Sequence, residues 1–269
     1  MGARVSSIVR SDGCSTPVLE LPPTPVRHAA GRVQTADARR IRSVIDWDAL
    51  EPRGVYPRFG KPALRIVLLV LCLVPSLALG LVIALANAVL FRSVRRVLYT
   101  QPRVGRRGEV FSIYKFRTMR ECQSGDFESW SRGEDVLRVT RFGRLLRNTH
   151  LDELPQVLNI LRGEMDFIGP RPEMLEISAW ACASLPRFQE RHALLPGVTG
   201  LAQVTQGYVA KDVRAYARKL AADQHYRRKL SLALDLEILV RTALWMVRAR
   251  GWRRAPRQRA AQVSESPTA

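Results

Sequence analysis

The sequence predicts an α+β chain that is mainly helical: a proline-broken re-entrant membrane helix, followed by a small cytoplasmic domain with a short β element and amphipathic interface helices. Three observations predict this class. An uncharged apolar run extends from Ile66 to Phe91, and a β-favouring run extends from Val110 to Phe116. After residue 140, the apolar residues recur at the three- and four-residue spacing of helices. The length of 269 residues fits one medium domain with appendages.

The chain is strongly basic. Its 43 Lys and Arg residues against 24 Asp and Glu residues give a formal charge of +19 and a pI near 11.1, too basic for a typical cytosolic metabolic enzyme. This balance indicates a polyanionic or membranous partner. The four cysteines form no Cys-x-x-Cys pair and the four histidines form no His-Glu-x-x-His motif. The sequence therefore encodes no disulfide framework, zinc ribbon or metalloprotease site, and its cysteine usage indicates a reducing compartment.

Residues 1–60 are predicted to form a disordered basic arm. Prolines and arginines are frequent there and no apolar period is sustained, so the segment cannot bury enough surface to offset its ordering entropy. A short helix between Ile41 and Leu50 is the exception that we expect. No apolar run precedes residue 60, and we therefore expect no signal peptide.

Residues 61–96 are predicted to form the membrane helix. The 26 residues from Ile66 to Phe91 would extend about 39 Å as a helix, more than the roughly 30 Å of a hydrocarbon core. Pro75 removes one backbone hydrogen bond and predicts a break there. Basic residues flank both ends, which favours a helix that enters and leaves on the cytoplasmic face. An ordinary kinked single span is the alternative.

The predicted domain covers residues 97–251. Gly105 and Gly108 precede the β-favouring run and predict a hairpin. Two short helices are expected between residues 140 and 161. The prolines of the Gly169-Pro-Arg-Pro172 run predict a fixed loop after them.

Two further helices are expected at residues 212–229 and 231–250. The second carries an apolar stripe and is followed by many arginines. That pattern is typical of a helix on an anionic membrane surface, although a core helix followed by a solvated tail fits it equally well. Residues 252–269 are predicted to be a basic disordered tail.

Adjacent carboxylates at Asp152 and Glu153 are the sharpest candidate for chemistry. Acids in the first turn of a helix favour its macrodipole, so a purely structural role is one interpretation. Nearby cations favour a second: they could hold a diphosphate and keep Asp152 ionised. The hard oxygens of such a site select Mg²⁺. The candidate cations are Lys115, Arg117, Arg147 and Arg171.

Six ordered strings resemble a known family. Each string is weak alone, but all six in order behind a proline-containing membrane helix form a specific signal. From about Arg58 to Gly251 the chain is similar to the bacterial sugar transferases, and within them to the monotopic polyprenyl-phosphate phosphoglycosyl transferases. The strings are Arg103-Val104-Gly105, KFRTM at 115–119, TRFGRLLR at 140–147, LDELPQ at 151–156, GPRPE at 169–173 and PGVTGLAQV at 196–204.

The resemblance implies a reaction. A sugar 1-phosphate passes from a UDP-sugar to undecaprenyl phosphate and UMP is released, which starts exopolysaccharide or envelope glycan synthesis. By position, Asp152 matches the nucleophile that forms a covalent phosphosugar intermediate, and Glu153 matches the acid that binds Mg²⁺. The residues expected to bind substrate phosphate are Lys115, Arg117, Arg147 and Arg171.

The resemblance also implies a location and partners. We expect the chain to lie in the inner (cytoplasmic) membrane, with its catalytic domain facing the cytoplasm and in contact with anionic lipids. A homodimer is one option for its assembly, and we expect it to bind no nucleic acid. Two departures stand out: Pro75-Ser76 replaces the Ser-Pro of the family, and Thr205 to Tyr208 replace a frequent Asn-Gly-Arg run. The second departure leaves the identity of the sugar open.

Two other readings of the sequence are a membrane-tethered basic nucleic-acid-binding protein and an inactive scaffold of the same fold. The charge of +19 and the arginine-rich ends motivate the first, but no recognition motif accompanies them. The intact Asp152-Glu153 pair argues against the second.

Overall fold

A computed structural model describes residues 45–120, 138–207 and 209–248. Within these ranges the chain is mainly helical, with two two-stranded sheets, and this part of the predicted class is confirmed. The predictions for residues 1–44 and for the tail at 252–269 lie outside the described residues. The helices are α1 (Trp47–Leu50), α2 (Lys61–Leu90), α3 (Arg141–Thr149), α4 (Val157–Leu161), α5 (Leu175–Ser184), α6 (Leu201–Gln206), α7 (Val213–Arg228) and α8 (Leu232–Val247), and the strands are β1 (Leu98–Val104), β2 (Val110–Phe116), β3 (Asp166–Ile168) and β4 (Gly197–Thr199).

Helix α2 is the apolar element that the sequence predicts. Together with a π-helical turn at Tyr56–Gly60, it is the one helix in the described ranges that is long and apolar enough to cross a membrane. The face of α2 that points away from the domain exposes large apolar side chains: Val70 is 70% exposed and Val74 is 72% exposed. The helix runs through Pro75 without an interruption, so the predicted break at this proline is not confirmed.

The N-terminal end of α2 is fixed to the domain by a buried polar network. The Lys61 Nζ donates to the Ile168 carbonyl at 3.0 Å, to the Tyr226 hydroxyl at 2.8 Å and to Asp235 Oδ2 at 3.0 Å. The Tyr56 and Tyr226 hydroxyls each donate to the Asp235 carboxylate at 2.5 Å. Since Asp235 is fully buried, these donors satisfy a charge that would otherwise be strongly unfavourable there.

The C-terminal end of α2 is fixed by Asn87. This side chain is fully buried, and its Nδ2 donates to the carbonyls of Arg117 at 3.0 Å and Val97 at 3.3 Å. Ile83, one turn earlier, packs in a cluster with Phe116. Both ends of the apolar helix are therefore bound to the same domain.

Strands β1 and β2 form the predicted hairpin. They are antiparallel, with Leu98 opposite Phe116 and Val104 opposite Val110. Side chains alternate between the two faces of a strand, so Lys115 lies on the same face as the buried Phe111. This face of β2 packs against the segment that follows α3, which brings Lys115 to the acid pair.

Strands β3 and β4 form a short parallel pair that the sequence does not predict. The pair holds the start of the proline loop, where the Gly169 amide donates to the Thr199 carbonyl at 2.8 Å and the Gly197 amide donates to the Pro170 carbonyl at 3.0 Å. A Cβ at Gly169 would lie 2.3 Å from the Leu195 carbonyl oxygen, so only glycine fits this contact.

The two expected C-terminal helices are present as α7 and α8, capped by the side chains of Asp212 and Ser231. One face of α8 is buried around Ile238. The other face exposes apolar side chains at four-residue spacing, which is the pattern of an interface helix. These exposed residues are Leu232, Leu236, Val240 and Leu244.

The predicted N-terminal arm ends at residue 60, whereas the structure shows folded elements from residue 45 onward. Trp47 in α1 is buried, and Glu51 accepts hydrogen bonds from Arg106 at 2.6 Å and from Arg107 at 2.8 Å, in the turn of the hairpin. Residues 45–60 therefore belong to the folded domain. Helix α1 lies within the short helix expected between Ile41 and Leu50, whereas the sequence does not predict the aromatic anchor and the ion pairs that hold it.

Candidate active site

The acid pair lies at a junction between two helices. Thr140 caps α3 by accepting from the Gly143 amide at 2.8 Å, and α3 ends at His150, which has a left-handed backbone with φ of 58°. A 3₁₀ helix, Leu151–Gln156, then carries both carboxylates in its first turn. The sequence predicts an α-helical first turn here, but the left-handed residue ends α3 and starts a tighter helix.

Glu153 is held by two cations. Its Oε1 accepts from Lys115 Nζ and from Arg171 Nη2, both at 2.6 Å, and Arg171 Nη1 lies 3.4 Å from Oε2. Burial acts to raise the pKa of Glu153, but the Arg171 and Lys115 charges outweigh it and hold that pKa well below its usual range. Glu153 is therefore ionised at any physiological pH.

Asp152 is placed differently. It is 8% exposed, and none of the hydrogen bonds within the described ranges ends on its carboxylate. Burial raises its pKa to about 6, a shift that Lys115 opposes and the neighbouring Glu153 charge reinforces. Near pH 7 most Asp152 carboxylates are ionised, and their oxygens are available to attack an electrophile.

The structure brings together most of the predicted site residues, but Arg117 lies apart. Arg147 Nε donates to Thr118 Oγ1 at 2.9 Å, and the Arg147 charge acts to lower the Asp152 pKa. Arg117 Nε donates to the Arg96 carbonyl at 3.0 Å, close to the end of α2. The site around the acid pair thus comprises Lys115, Arg147, Asp152, Glu153 and Arg171.

Arg171 is positioned by a set of ion pairs and hydrogen bonds that the sequence does not predict. We call this set the clamp; its members are Arg103, Glu173, Arg191, Lys219 and Asp223. Arg191 Nη2 donates to the Arg171 carbonyl at 2.9 Å, and Arg191 Nε pairs with Asp223 Oδ2 at 2.8 Å. Arg103 Nη1 donates to the Pro172 carbonyl at 3.2 Å. These bonds fix both the backbone of the proline loop and the direction of its arginine.

Glu173 completes the clamp from the end of the loop. Its carboxylate pairs with Lys219 Nζ and lies 3.8 Å from Arg191 Nη1. Burial acts to raise the pKa of Glu173, yet the Lys219 and Arg191 charges hold it lowered. Arg103 and Glu173 stand in strings that the resemblance uses, whereas no local sequence signal marks Arg191 or Lys219.

The carboxylate oxygens of the acid pair are candidate ligands for a metal ion. Within the described ranges no three His, Cys, Asp or Glu side chains are grouped to hold an ion. Two adjacent carboxylates remain, and the Glu153 Oε2 has only the 3.4 Å contact with Arg171. Mg²⁺ is often bound by one or two carboxylates plus substrate phosphates, so this donor set fits it.

The same domain carries an apolar helix long enough to cross a membrane and a buried acid pair held among cations, which is the combination expected of a membrane-associated enzyme that acts on phosphates. The family described as "Bacterial sugar transferase" matches residues 56–249. The chain belongs to this family, and the resemblance read from the six strings is confirmed.

Curated relatives carry related names. The chain is 39% identical over 198 residues to the UDP-glucose:undecaprenyl-phosphate glucose-1-phosphate transferase of Caulobacter vibrioides, over 72% of this chain and 73% of the relative. It is 40% identical over 161 residues to the UDP-N-acetylgalactosamine-undecaprenyl-phosphate N-acetylgalactosaminephosphotransferase of Aeromonas hydrophila, covering 59% of this chain and 37% of the relative. It is 35% identical over 207 residues to the undecaprenyl-phosphate glucose phosphotransferase of Komagataeibacter xylinus, covering 75% of this chain and 36% of the relative. The chain thus spans only about a third of the two longer relatives.

Proposed function

We propose that this chain transfers a sugar 1-phosphate from a UDP-sugar to undecaprenyl phosphate, releasing UMP and starting exopolysaccharide synthesis. The observation that carries the proposal is the asymmetry of the acid pair: Glu153 is held by Lys115 and Arg171, while Asp152 accepts no described hydrogen bond. The names of the relatives support both substrates.

The first step uses Asp152 as nucleophile. Its carboxylate oxygen attacks the β-phosphorus of the donor, the bond between this phosphorus and the bridging oxygen breaks, and UMP leaves with that oxygen and the electron pair. The sugar phosphate is then an acyl phosphate on Asp152. Lys115, Arg147 and Arg171 outnumber the two carboxylates by one charge, so they favour binding of the anionic donor and stabilise its phosphate oxygens.

In the second step a phosphate oxygen of the lipid attacks the same phosphorus. The acyl phosphate bond breaks, Asp152 recovers its carboxylate, and the product is a diphosphate-linked lipid sugar. The order is ping-pong, because the first product leaves before the acceptor reacts. Mg²⁺, held by Glu153 beside Asp152 together with the donor diphosphate, would neutralise phosphate charge when bound.

We further propose that α2 enters and leaves the inner membrane on the cytoplasmic face, with the domain facing the cytoplasm. A crossing helix carries its ends to opposite faces about 30 Å apart, whereas Lys61 and Asn87 bind the two ends of α2 to one domain. Re-entry requires only a bend at Pro75, which lacks one hydrogen bond, and such a bend does not end the helix.

Cysteine labelling in intact cells tests this topology. In a background without native cysteines, Arg58→Cys and Arg95→Cys place exposed thiols on either side of α2, and Val74→Cys is the matched apolar control. We expect an impermeant reagent to label both positions only after the cytoplasmic face is opened. Labelling of one position from outside in unbroken cells would show a true span.

A turnover assay tests the reaction. Detergent-purified protein is incubated with undecaprenyl phosphate, Mg²⁺ and a panel of UDP-sugars, and UMP release is followed for wild type and Asp152→Asn. We expect UMP with at least one donor and none with the variant. Equal UMP release by the variant would refute Asp152 as nucleophile, and a folded wild type that releases no UMP with any donor would contradict the proposed reaction.

A further inference from the structure

A hollow of about 230 Å³ opens where the apolar helix α2 ends. Two of its lining residues are apolar side chains at the end of the helix, and three are arginines from two segments, one directly after the helix and one after β2. We refer to it as the basic hollow. Its lining residues are Leu90, Phe91, Arg96, Arg117, Arg120 and Thr140.

The backbone around the basic hollow is rigidly held. The Arg117 amide donates to the Val97 carbonyl at 2.9 Å, and the Arg117 carbonyl accepts from the buried Asn87. The Thr140 amide donates to the Thr118 carbonyl at 3.1 Å. The backbone that carries Arg117 is therefore held in place by hydrogen bonds before any ligand binds, which lowers the entropy lost on binding.

Arg147 connects the basic hollow with the acid pair. Arg147 bonds the hydroxyl of Thr118, the residue next to Arg117, and the Arg147 charge acts on Asp152. Each of the two carboxylates therefore interacts with at least one cation. Lys115 and Arg171 meet Glu153 directly, whereas Arg147 links Asp152 to the basic hollow.

We propose that the basic hollow binds the phosphate of the polyprenyl acceptor, with its hydrocarbon chain lying along Leu90 and Phe91. Guanidinium groups match a phosphate monoester in charge and geometry, and the apolar wall matches the lipid chain. A soluble nucleotide donor gains nothing from an apolar wall at the membrane surface. This inference rests on the proposed function, since it assigns the acceptor subsite of that reaction.

Half-reaction kinetics test the assignment. Without acceptor, the first step gives a burst of UMP, and added undecaprenyl phosphate then removes the phosphosugar from the enzyme. For Arg117→Gln and Arg120→Gln we expect an unchanged burst and a KM for undecaprenyl phosphate raised about tenfold or more. Arg117→Lys should recover part of the loss, and Arg218→Gln, on the exposed side of α7, is the matched control.

Direct binding separates this inference from the reaction itself. Asp152→Asn protein is offered equal amounts of undecaprenyl phosphate and phosphatidylglycerol in detergent, and bound lipid is measured by native mass spectrometry. We expect a preference for undecaprenyl phosphate that Arg117→Gln abolishes, whatever the turnover assay gives. Equal binding of both lipids would show a general anionic-lipid surface, and a reduced UMP burst in Arg117→Gln would assign the hollow to the donor; either result overturns the proposal.

Discussion

Two ion clusters of similar composition lie on either side of the proline loop and differ in how they are paired. In the clamp, Asp223 pairs with Arg191, and Glu173 pairs with Lys219 and Arg191. In the acid pair, both contacting cations bind Glu153, and Asp152 accepts no described hydrogen bond. We call the clamp the closed cluster, because each of its carboxylates is paired, and the acid pair with its cations the open cluster, because Asp152 accepts no described hydrogen bond. A closed cluster stabilises a fold, whereas an open cluster has a carboxylate available for chemistry.

The largest expected effect tests the open cluster. Asp152→Asn should lower turnover by at least about 10³-fold, since the amide cannot form the acyl phosphate. The fold should survive, because the new side chain has the same shape and no described hydrogen bond is lost. UMP release and a denaturant titration in detergent measure the two effects. Activity within tenfold of wild type would contradict the assignment.

The same chemical change in the closed cluster should act on stability. Asp223→Asn leaves the buried Arg191, 2% exposed, without its closest anion and should lower the free energy of unfolding by about 3 kcal/mol. The loss of activity should follow the loosening of Arg171 and be smaller than in Asp152→Asn. The two variants are compared in one denaturant series. Equal stability of both would show that the clamp is not structural.

The smallest effect concerns pH. The value of kcat/KM reports the free enzyme, in which the Asp152 pKa is about 6, so it should fall roughly tenfold for each pH unit below about 6. Glu153→Gln removes a neighbouring negative charge that raises the Asp152 pKa, so this limb should move to lower pH. The variant should also lose its response to Mg²⁺. An unmoved limb would show that the two carboxylates do not interact.

The sequence predicts the elements whose signals are local. The apolar run marks α2, and the glycines before Val110 mark the hairpin. The helices expected at residues 212–229 and 231–250 are found as α7 and α8, and the apolar stripe marks the second. Among site residues, the acid pair and Lys115 are recognisable because they stand in the short strings LDELPQ and KFRTM that carry the family resemblance.

The parts that the sequence does not predict depend on distant contacts. Strand β3, Asp166–Ile168, pairs with a strand some thirty residues later and is too short to show a period. Arg191 contacts the proline loop from twenty residues further along the chain, on the other side of α5. The predicted break at Pro75 overestimates what one missing hydrogen bond does, since the rest of α2 remains a helix on both sides.

The double attachment of α2 has a consequence for how the enzyme would respond to its lipid environment. Because Lys61 and Asn87 tie both ends of the helix to the domain, α2 cannot tilt independently of that domain. With α2 inserted as we propose, a thicker or thinner bilayer would move the whole domain, and Asp152 with it, relative to the plane of the lipid phosphates. In the proposed reaction, bilayer thickness would then determine how easily the acceptor phosphate reaches the Asp152 carboxylate.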